Sequence, residues 1–526
     1  MSRLTTDYAH DFTRLAGFYN GNPADPNAWR EAIARAQRQS RPRDGVAAVI
    51  AAQQRRRNAP PAALAAAEQL RDPRTVAVVT GQQAGLFGGP LYTLLKAITA
   101  LRLAARVREE HHVPAVALFW ADGEDHDWEE VRSCCVLDAE AAVKAAALPP
   151  SAGASRPVGR VVLDATVDAA LAELQAALPA TEFSPELFDT LKRIYRPGTG
   201  MSAAFALLVE ELLGPLGLVV YESSDPATKP FVADLFAKEI ATAGASGRRA
   251  IEAGAALERA GYHAQVTPAE GSLALFRLRE EREPIRVDGA DAVIGDERVP
   301  LAELEARART EPESFSPNVL LRPVVQDTLF PTVCYVGGPG EMAYFAQLKD
   351  IYASFGVPMP LFHPRATLTL LDANGLKFLT RHDLPLETLR AQDESALNEL
   401  LEAALPPAVE ASLGDALRSI EERLSAVAAA VATVDPTLDG AARSTLGRMQ
   451  DDLKKLQAKV IQAAKRKDET LRRQFKHAQA QAFPNGTPQE RVLGFVYFLN
   501  KYGPPLVERL CQEPPIDAGT HWVLTP

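Results

Sequence analysis

Cysteine is scarce in this chain. Four stand among 526 residues, Cys134, Cys135, Cys334 and Cys511, and none forms a CxxC pair. Neither a disulfide framework nor a zinc ribbon is indicated. No apolar run reaches the ~18–20 residues that span a bilayer, and the opening MSRLTTDYAHDF lacks a charged-then-apolar leader. We expect a reducing, cytoplasmic setting and no membrane partner. Positive charge is not in excess: the formal net charge is -10. That argues against the basic face of a nucleic-acid binder, though a local basic pocket stays compatible with it. The sharpest nucleotide signatures are missing too. The first glycine-rich loop has no Gly-Lys-Ser/Thr ending and is no clean GxGxxG.

Hydrophobic residues make up 47% and charged residues 24%, the balance of a globular protein, and the length asks for two or three units. The organising stretch is residues 76–106, TVAVVTGQQAGLFGGPLYTLLKAITALRLAAR with its leading Thr75. A β-branched run at 76–80 meets a loop holding Gly81, Gly85, Gly88 and Gly89. Pro90 then opens a helix with Leu91, Leu94, Leu95, Ile98 and Leu101 on its apolar face. This order sets free backbone N–H groups at a helix N-terminus beside a strand's carboxyl end, an arrangement suited to anions.

Before it, residues 1–72 read as helices at 24–39 and 46–70, with Arg55, Arg56 and Arg57 on a solvated face. After it, strands are expected at 116–120, 218–222, 331–336 and 359–363, alternating with helices at 226–241 and 341–355. That rhythm implies a mostly parallel sheet with ligands at the carboxyl ends of its strands. Two stretches break it. Residues 139–200 read as an insertion with a weak hairpin signal at 157–163, and 245–320 as a β-rich second insertion with a charged turn at 280–283. The expected division is therefore 1–138, 201–244 and 321–395 for the core, with the insertions between.

Residues 396–480 differ in kind. Leu413, Leu417, Ile420, Leu424, Val427, Val431 and Val434 alternate steps of four and three. After Asp435-Pro436 the pattern restarts at Leu446, Met449, Leu453, Leu456 and Val460, then Leu471 and Phe475. Such heptads with a short break make an antiparallel helical hairpin. A thin apolar seam under a charged surface (Lys454, Lys455, Lys465, Arg466, Lys467) favours a dimerisation arm over a hairpin packed on its own core. The oily tail, 481–526, is expected to return to the sheet or to the arm's base.

Several polar groups fall at the predicted ligand edge. Gln82 and Gln83 add amides that a plain turn does not need. Glu124, Asp125, His126 and Asp127 crowd charge that suits an amine, a metal ion or a shared proton; the bland alternative is a solvated loop with Asp127 as a helix cap. Arg322 suits a carboxylate or phosphate, unless it is paired with Asp327; Gln326 lies beside it. Gly337, Gly338, Gly340 and Glu341 repeat the strand–loop–helix pattern. His363 and Arg365 end the last strand, and Cys334 reads as core.

In this order, GQQAGLFGGPLYTLLKAI (81–98), FWADGEDHDWEEV (119–131), LRPVVQDTLFPTVCYVGGPGEMAYFAQL (321–348), HPRATLT (363–369) and QERVLGFVYFLNKYG (489–503) resemble bacillithiol synthase, the cysteine-adding enzymes of bacillithiol biosynthesis. The likeness covers nearly the whole chain and is loosest in the two insertions. It implies an α/β protein: a Rossmann-like parallel-sheet core interrupted by two connecting segments, with an antiparallel α-helical coiled-coil arm that makes a homodimer. It implies a ligase forming an amide bond, adding L-cysteine to the amine of glucosaminyl malate. It also implies an adenine nucleotide, ATP or ADP, with Mg2+ as its companion. Amide formation from a free carboxylate needs activation because hydroxide leaves poorly; an adenylate or acyl phosphate would supply it. On this reading Asp125, His126 and Asp127 are the catalytic candidates. The binding candidates are Gly81, Gln82, Gln83, Gly85, Gly88, Glu124, Arg322, Gln326, Asp327, Gly337, Gly338, Gly340, Glu341, His363 and Arg365. Three other readings remain: an adenylating nucleotidyltransferase or tRNA-synthetase-like enzyme, although HIGH and KMSKS are missing; a coiled-coil ligand-binding scaffold; and an NAD oxidoreductase, weakened by the lack of an acidic ribose-binding residue about 20 residues past the first glycines.

Overall fold

The computed structural model describes all residues except 1–2, 153–155, 404–406, 468, 514 and 518, and of residues 152, 403, 407 and 464–467 it describes the backbone alone. Two compact units emerge: residues 1–369 with 490–522, and residues 370–489 with 523–526.

The first unit is built on a five-stranded sheet whose pairings are all parallel. Its strands are β1 (Val76–Gln83), β2 (Ala115–Asp122), β3 (Val219–Glu222), β4 (Thr332–Gly337) and β5 (Leu361–Pro364), in the order β5-β4-β1-β2-β3. Helices and loops cover both faces, so these strands read as continuous apolar runs rather than alternating ones; β2 is buried from Ala115 to Ala121. The chain leaves β1 toward β2 and β3 on one side and returns to β4 and β5 on the other. The crevice past the carboxyl ends of β1 and β4 is thus a topological switch point, where ligands of such sheets bind. Helix α1 (Leu91–His111) links β1 to β2.

Three local expectations are corrected. Arg57 is buried, not solvated: its Nε lies 2.7 Å from Glu210 Oε2 and its Nη1 2.5 Å from Glu222 Oε1, tying the N-terminal helices to the sheet. The helix expected at 341–355 is two, α3 (Pro339–Phe345) and Lys349–Phe355. At the break, fully buried Gln347 accepts from the N–H groups of Gln265 and Val266 and donates to the Ala250 and Val266 carbonyls. The antiparallel hairpin lies at Ser133–Leu137 and Val143–Ala147, across the expected start of the first insertion, not at 157–163. Residues 158–160 instead form a 3-10 turn that holds the acidic loop, with Val158 N donating to Asp125 O and Gly159 N to Gly123 O. The second insertion is an antiparallel sheet in which Phe315–Pro317, Ser272–Leu278, Arg282–Asp288, Asp291–Ile294 and Glu297–Pro300 pair in that order.

The second unit is helical. A core of Leu371, Phe378, Leu389, Leu397, Leu401, Leu471, Phe475, Ala478 and Ala482 gathers its shorter helices. From it extend α4 (Pro407–Val431) and α5 (Leu438–Lys467), joined by a turn in which Asp435 accepts from Thr437 N. Leu413, Leu417, Ile420, Leu424, Leu446 and Leu453 are half-buried along the seam. Val427 (45%), Val434 (82%), Met449 (41%) and Leu456 (48%) are exposed within this chain. Of the charges expected on its surface, Lys455 is exposed and pairs with Asp452, whereas the side chains of Lys465, Arg466 and Lys467 lie outside the described residues. No helix among the described residues is long and apolar enough to cross a membrane. All four cysteines are free, and Cys134 and Cys334 are buried.

Candidate active site

At the switch point the first unit encloses a cavity of about 360 Å³. Each polar segment singled out in the sequence sends at least one residue to it: Gly81, Gln82 and Gln83 from β1, Asp125 from the acidic loop, Arg322 from helix α2 (Arg322–Leu329), Gly338, Gly340 and Glu341 after β4, and Arg365 after β5. Register explains part of this convergence. Gln83 pairs with Asp122 at the ends of β1 and β2, and Gly337 pairs with Pro364 at the ends of β4 and β5.

One wall is cationic. Lys96 rises from α1 as the one charge on a buried helical face, with Nζ 2.8 Å from Gly81 O, 3.0 Å from Gln82 Oε1 and 2.6 Å from Glu341 Oε2. These acceptors match the ammonium's three donors. Glu341 also accepts from Gly338 N at 2.7 Å and from Tyr335 OH at 2.7 Å. Burial works against its ionisation, but Lys96 and these donors outweigh burial and hold its carboxyl below the usual range. Its oxygens are therefore spent on protein groups. Arg365 is similarly engaged, 2.6 Å from Glu490 and stacked over Tyr92.

Arg322 is different. Its partners are neutral: Gln326 Oε1 at 3.2 Å, Tyr335 OH at 3.4 Å and Tyr344 OH at 3.1 Å, with the rings of Trp120 and Tyr335 under its guanidinium. The expected alternative, a pair with Asp327, does not form. Asp327 is buried away from the cavity, 2.5 Å from Tyr352 OH, and burial pushes its carboxyl up to about 6. A guanidinium in a cavity wall that forms no ion pair among the described residues suits an anion. Arg491 stands at the rim, exposed.

Carboxylates line the same cavity. Asp125 accepts from Gln83 Nε2 at 2.5 Å and His126 N at 2.8 Å, with Arg282 of the second insertion 3.4 Å away. Burial opposes its ionisation, but the His126 side chain, then Gln83, Arg282 and the His126 N–H, keep its carboxyl well below the usual range. Asp122 and Glu130 move the other way, mainly through burial. Buried among these lining residues, Gln83 Oε1 and Trp120 Nε1 have no hydrogen-bond partner among the described residues; such orphans call for a ligand or water.

Other candidates lie off the cavity. His126 is half-exposed, its Nδ1 3.4 Å from Asp125. Asp127 caps the Trp128–Val131 helix by accepting from Glu130 N. Glu124 is buried against Lys229 and accepts from Ser316 Oγ, which ties the acidic loop to the second insertion. Gln326 donates to Asp327, and His363 bonds the Pro364 carbonyl. Gly85, Gly88 and Gly337 answer to packing. Gly88 has φ +91°, and a Cβ there would lie 2.1 Å from the Phe495 ring. The N-terminus expected to hold anions is covered as well, because Leu91 N donates to Leu493 O. The sequence reading did not name Tyr92, Lys96, Trp120, Asp122, Glu130, Pro339, Tyr344 or Arg491 as site residues, although Asp122 opens the acidic loop 122–127 it singled out; all of them line the cavity. A signal existed for Lys96, a lone charge inside the apolar run LLKAIT.

With this geometry in hand, comparison with known proteins is specific. Residues 1–366 match the family described as Bacillithiol biosynthesis BshC, N-terminal Rossmann-like domain, and residues 368–526 match its C-terminal coiled-coil domain. Among similar proteins, each named "Putative cysteine ligase BshC", that of Salinibacter ruber is 35% identical over 530 residues, spanning 99% of this chain and 96% of the relative. That of Koribacter versatilis is 33% identical over 513 residues (97% and 94%), and that of Symbiobacterium thermophilum 34% over 475 (86% and 84%).

Proposed function

The chain belongs to the bacillithiol biosynthesis BshC family, and from that premise we propose that its cavity joins the carboxylate of L-cysteine to the glucosamine amine of glucosaminyl malate, yielding bacillithiol. The reaction class is carbon–nitrogen ligation. One observation carries the reading: a single cavity holds Arg322, whose hydrogen-bond partners are neutral, together with the carboxylates Asp122, Asp125 and Glu130. Amide synthesis from an acid and an amine needs both kinds of group, a cation for the anionic oxygens and carboxylates for the amine.

Arg322 and Arg491 are the donors for carboxylate or phosphate oxygens, and Gly338 and Gly340 let the backbone come close. These donors fit the phosphates of an adenine nucleotide. ATP would place a phosphoryl or adenylyl group on one carboxylate oxygen, so that this oxygen departs as part of a good leaving group. Mg2+ carried by the nucleotide needs only one or two protein carboxylates, and Asp125 and Glu130 are within the cavity to meet it. Asp125, kept ionised by the His126 side chain, Gln83 and Arg282, suits an ammonium. Lys96 and Glu341 hold the β1 end and the Gly338 turn in place by bonding to both.

The arm gives the protein a homodimer on this reading. Val427, Val434, Met449 and Leu456 are apolar positions of the heptad pattern that a single chain leaves exposed. The free thiols suit a reducing cytoplasm. The deciding experiment is incubation of purified protein with cysteine, glucosaminyl malate and ATP, following bacillithiol by mass and ATP consumption together. Product formation coupled to ATP supports the proposal; ATP-independent synthesis removes the nucleotide role, and no product removes the ligase reading.

A further inference from the structure

Gln83 and Asp122 end neighbouring parallel strands in register with one another, and both line the cavity. Each presents an oxygen that the fold leaves unused. The orientation of the Gln83 amide is set by Asp125: its Nε2 must face the carboxylate 2.5 Å away, so its Oε1 is the acceptor that remains. That oxygen is buried with no partner. Asp122 uses Oδ1 to accept from Glu124 N at 3.1 Å and Ser223 Oγ at 3.3 Å. Its Oδ2 has no hydrogen-bond donor among the described residues. Two side-by-side acceptors without donors fit a group that brings at least two N–H bonds.

Resting on the ligase reading above, we propose that Asp122 is the catalytic base for the attacking amine and that Gln83 Oε1 seats the same nitrogen. The nitrogen lone pair of the neutral amine forms the N–C bond to the activated carbonyl. The C–O bond to the phosphate-class leaving group breaks and takes its electron pair, and the proton that the new ammonium centre must lose passes to Asp122 Oδ2. Asp125 is unsuited to this step because Gln83, His126 and Arg282 occupy both its oxygens and hold it ionised. Asp122 is built for it. Burial raises its proton affinity, Asp125 and Glu124 add to that, and Arg322 and Arg282 oppose it. Two carboxylates on one wall are thereby driven apart in pKa, the pattern that separates an anchor from a base. Glu124 itself is paired with Lys229.

The test is steady-state kinetics across pH with cysteine, ATP and the amine acceptor. D122N should lower kcat by roughly 10²–10⁴-fold, the usual worth of a general base; its Oδ1 keeps the Glu124 and Ser223 donors, and the KM for the amine should rise no more than about tenfold because Gln83 Oε1 still seats the nitrogen. It should also erase the acid limb of the kcat–pH profile, whereas D122E restores part of the rate and the limb. S223A removes a donor to the carboxylate and should move that limb upward by about half a pH unit. An active wild type whose D122N variant keeps kcat within about fivefold and its acid limb unmoved overturns the assignment. Should D122N fail to fold, an unmoved limb in S223A does the same. A wild type that forms no amide removes the ligase reading instead, and this inference falls with it.

Discussion

Two junctions in the first unit share one local pattern: buried strand, glycines, proline, helix. The first runs from β1 through Gly81–Gly89 to α1, the second from β4 through Gly337–Gly340 to α3. Their fates differ. At the first, Gly85 and Gly88 pack against neighbouring chain, and Leu493 O satisfies the leading helical N–H. At the second, Gly338 and Gly340 face the cavity while Glu341 binds back to Gly338 N and across to Lys96. The glycine-rich sequence reports that backbone comes close to something. Whether that something is a ligand or the protein's own tail depends on which junction residues 490–495 cover.

The sharpest way to break the comparison is at the tie between the junctions. Glu341→Ala leaves Lys96 buried without its carboxylate, and loss of about 3–5 kcal/mol is expected, read as a lowered urea midpoint with activity lost alongside. Gly88→Ala tests the first junction alone. A positive φ and the Phe495 ring should cost ~2–4 kcal/mol in stability, while the KM values of molecules that survive stay unchanged.

The flank of the second junction is tested by pH. His363 is buried at the end of β5, and burial pushes its imidazole down to about 4. A His whose folded pKa lies below its unfolded value near 6.5 favours the fold in its neutral form. Its contribution is full above pH ~6.5 and is lost as pH falls toward 4, because the unfolded chain binds more protons there. About 3 kcal/mol should disappear over that window, and His363→Asn should flatten the corresponding slope in denaturant titrations between pH 7 and 4.

Gly340→Ala sharpens the contrast from the other side. Nothing lies within 4 Å of a Cβ there, and alanine favours a helix by ~0.5–1 kcal/mol. Stability should hold or rise while KM worsens, the reverse of Gly88→Ala. The smallest effect is expected at His126→Ala: with the ring 47% exposed and off the cavity, stability should change by less than about 0.5 kcal/mol and kcat by under about threefold. A larger loss of rate would restore the imidazole to the chemistry.

Much of this was readable beforehand, for identifiable reasons. The strands of the sheet are short β-branched or aromatic runs ended by polar loops, and parallel topology gathers those ends at one edge. That is why Gln83, Asp125, Arg322 and Arg365 could be proposed as neighbours across hundreds of residues. Lys96 and Tyr92 escaped because a polar residue inside an apolar helix reads as an irregularity until the facing strand end is known. Asp122 was read as the first residue of the acidic loop 122–127 but not as a site residue, because it closes a buried strand ahead of the more conspicuous run from Glu124 to Asp127. Arg282 and Arg491 belong to the second insertion and to the C-terminal segment, and no local pattern in either points toward β1.

By itself, the sequence determined the alternation of strand and helix, the heptad seam and the family motifs, because periodicity, glycine placement and turn chemistry act over a few residues at a time. Tertiary structure alone decided which polar side chains stay unpaired. Lys96, Glu341 and Arg365 spend their charge on protein partners, whereas Arg322, Asp122 and Gln83 retain capacity for something else. Hydrogen-bond capacity is consumed by neighbours in space, and those neighbours come from parts of the chain that no local rule connects.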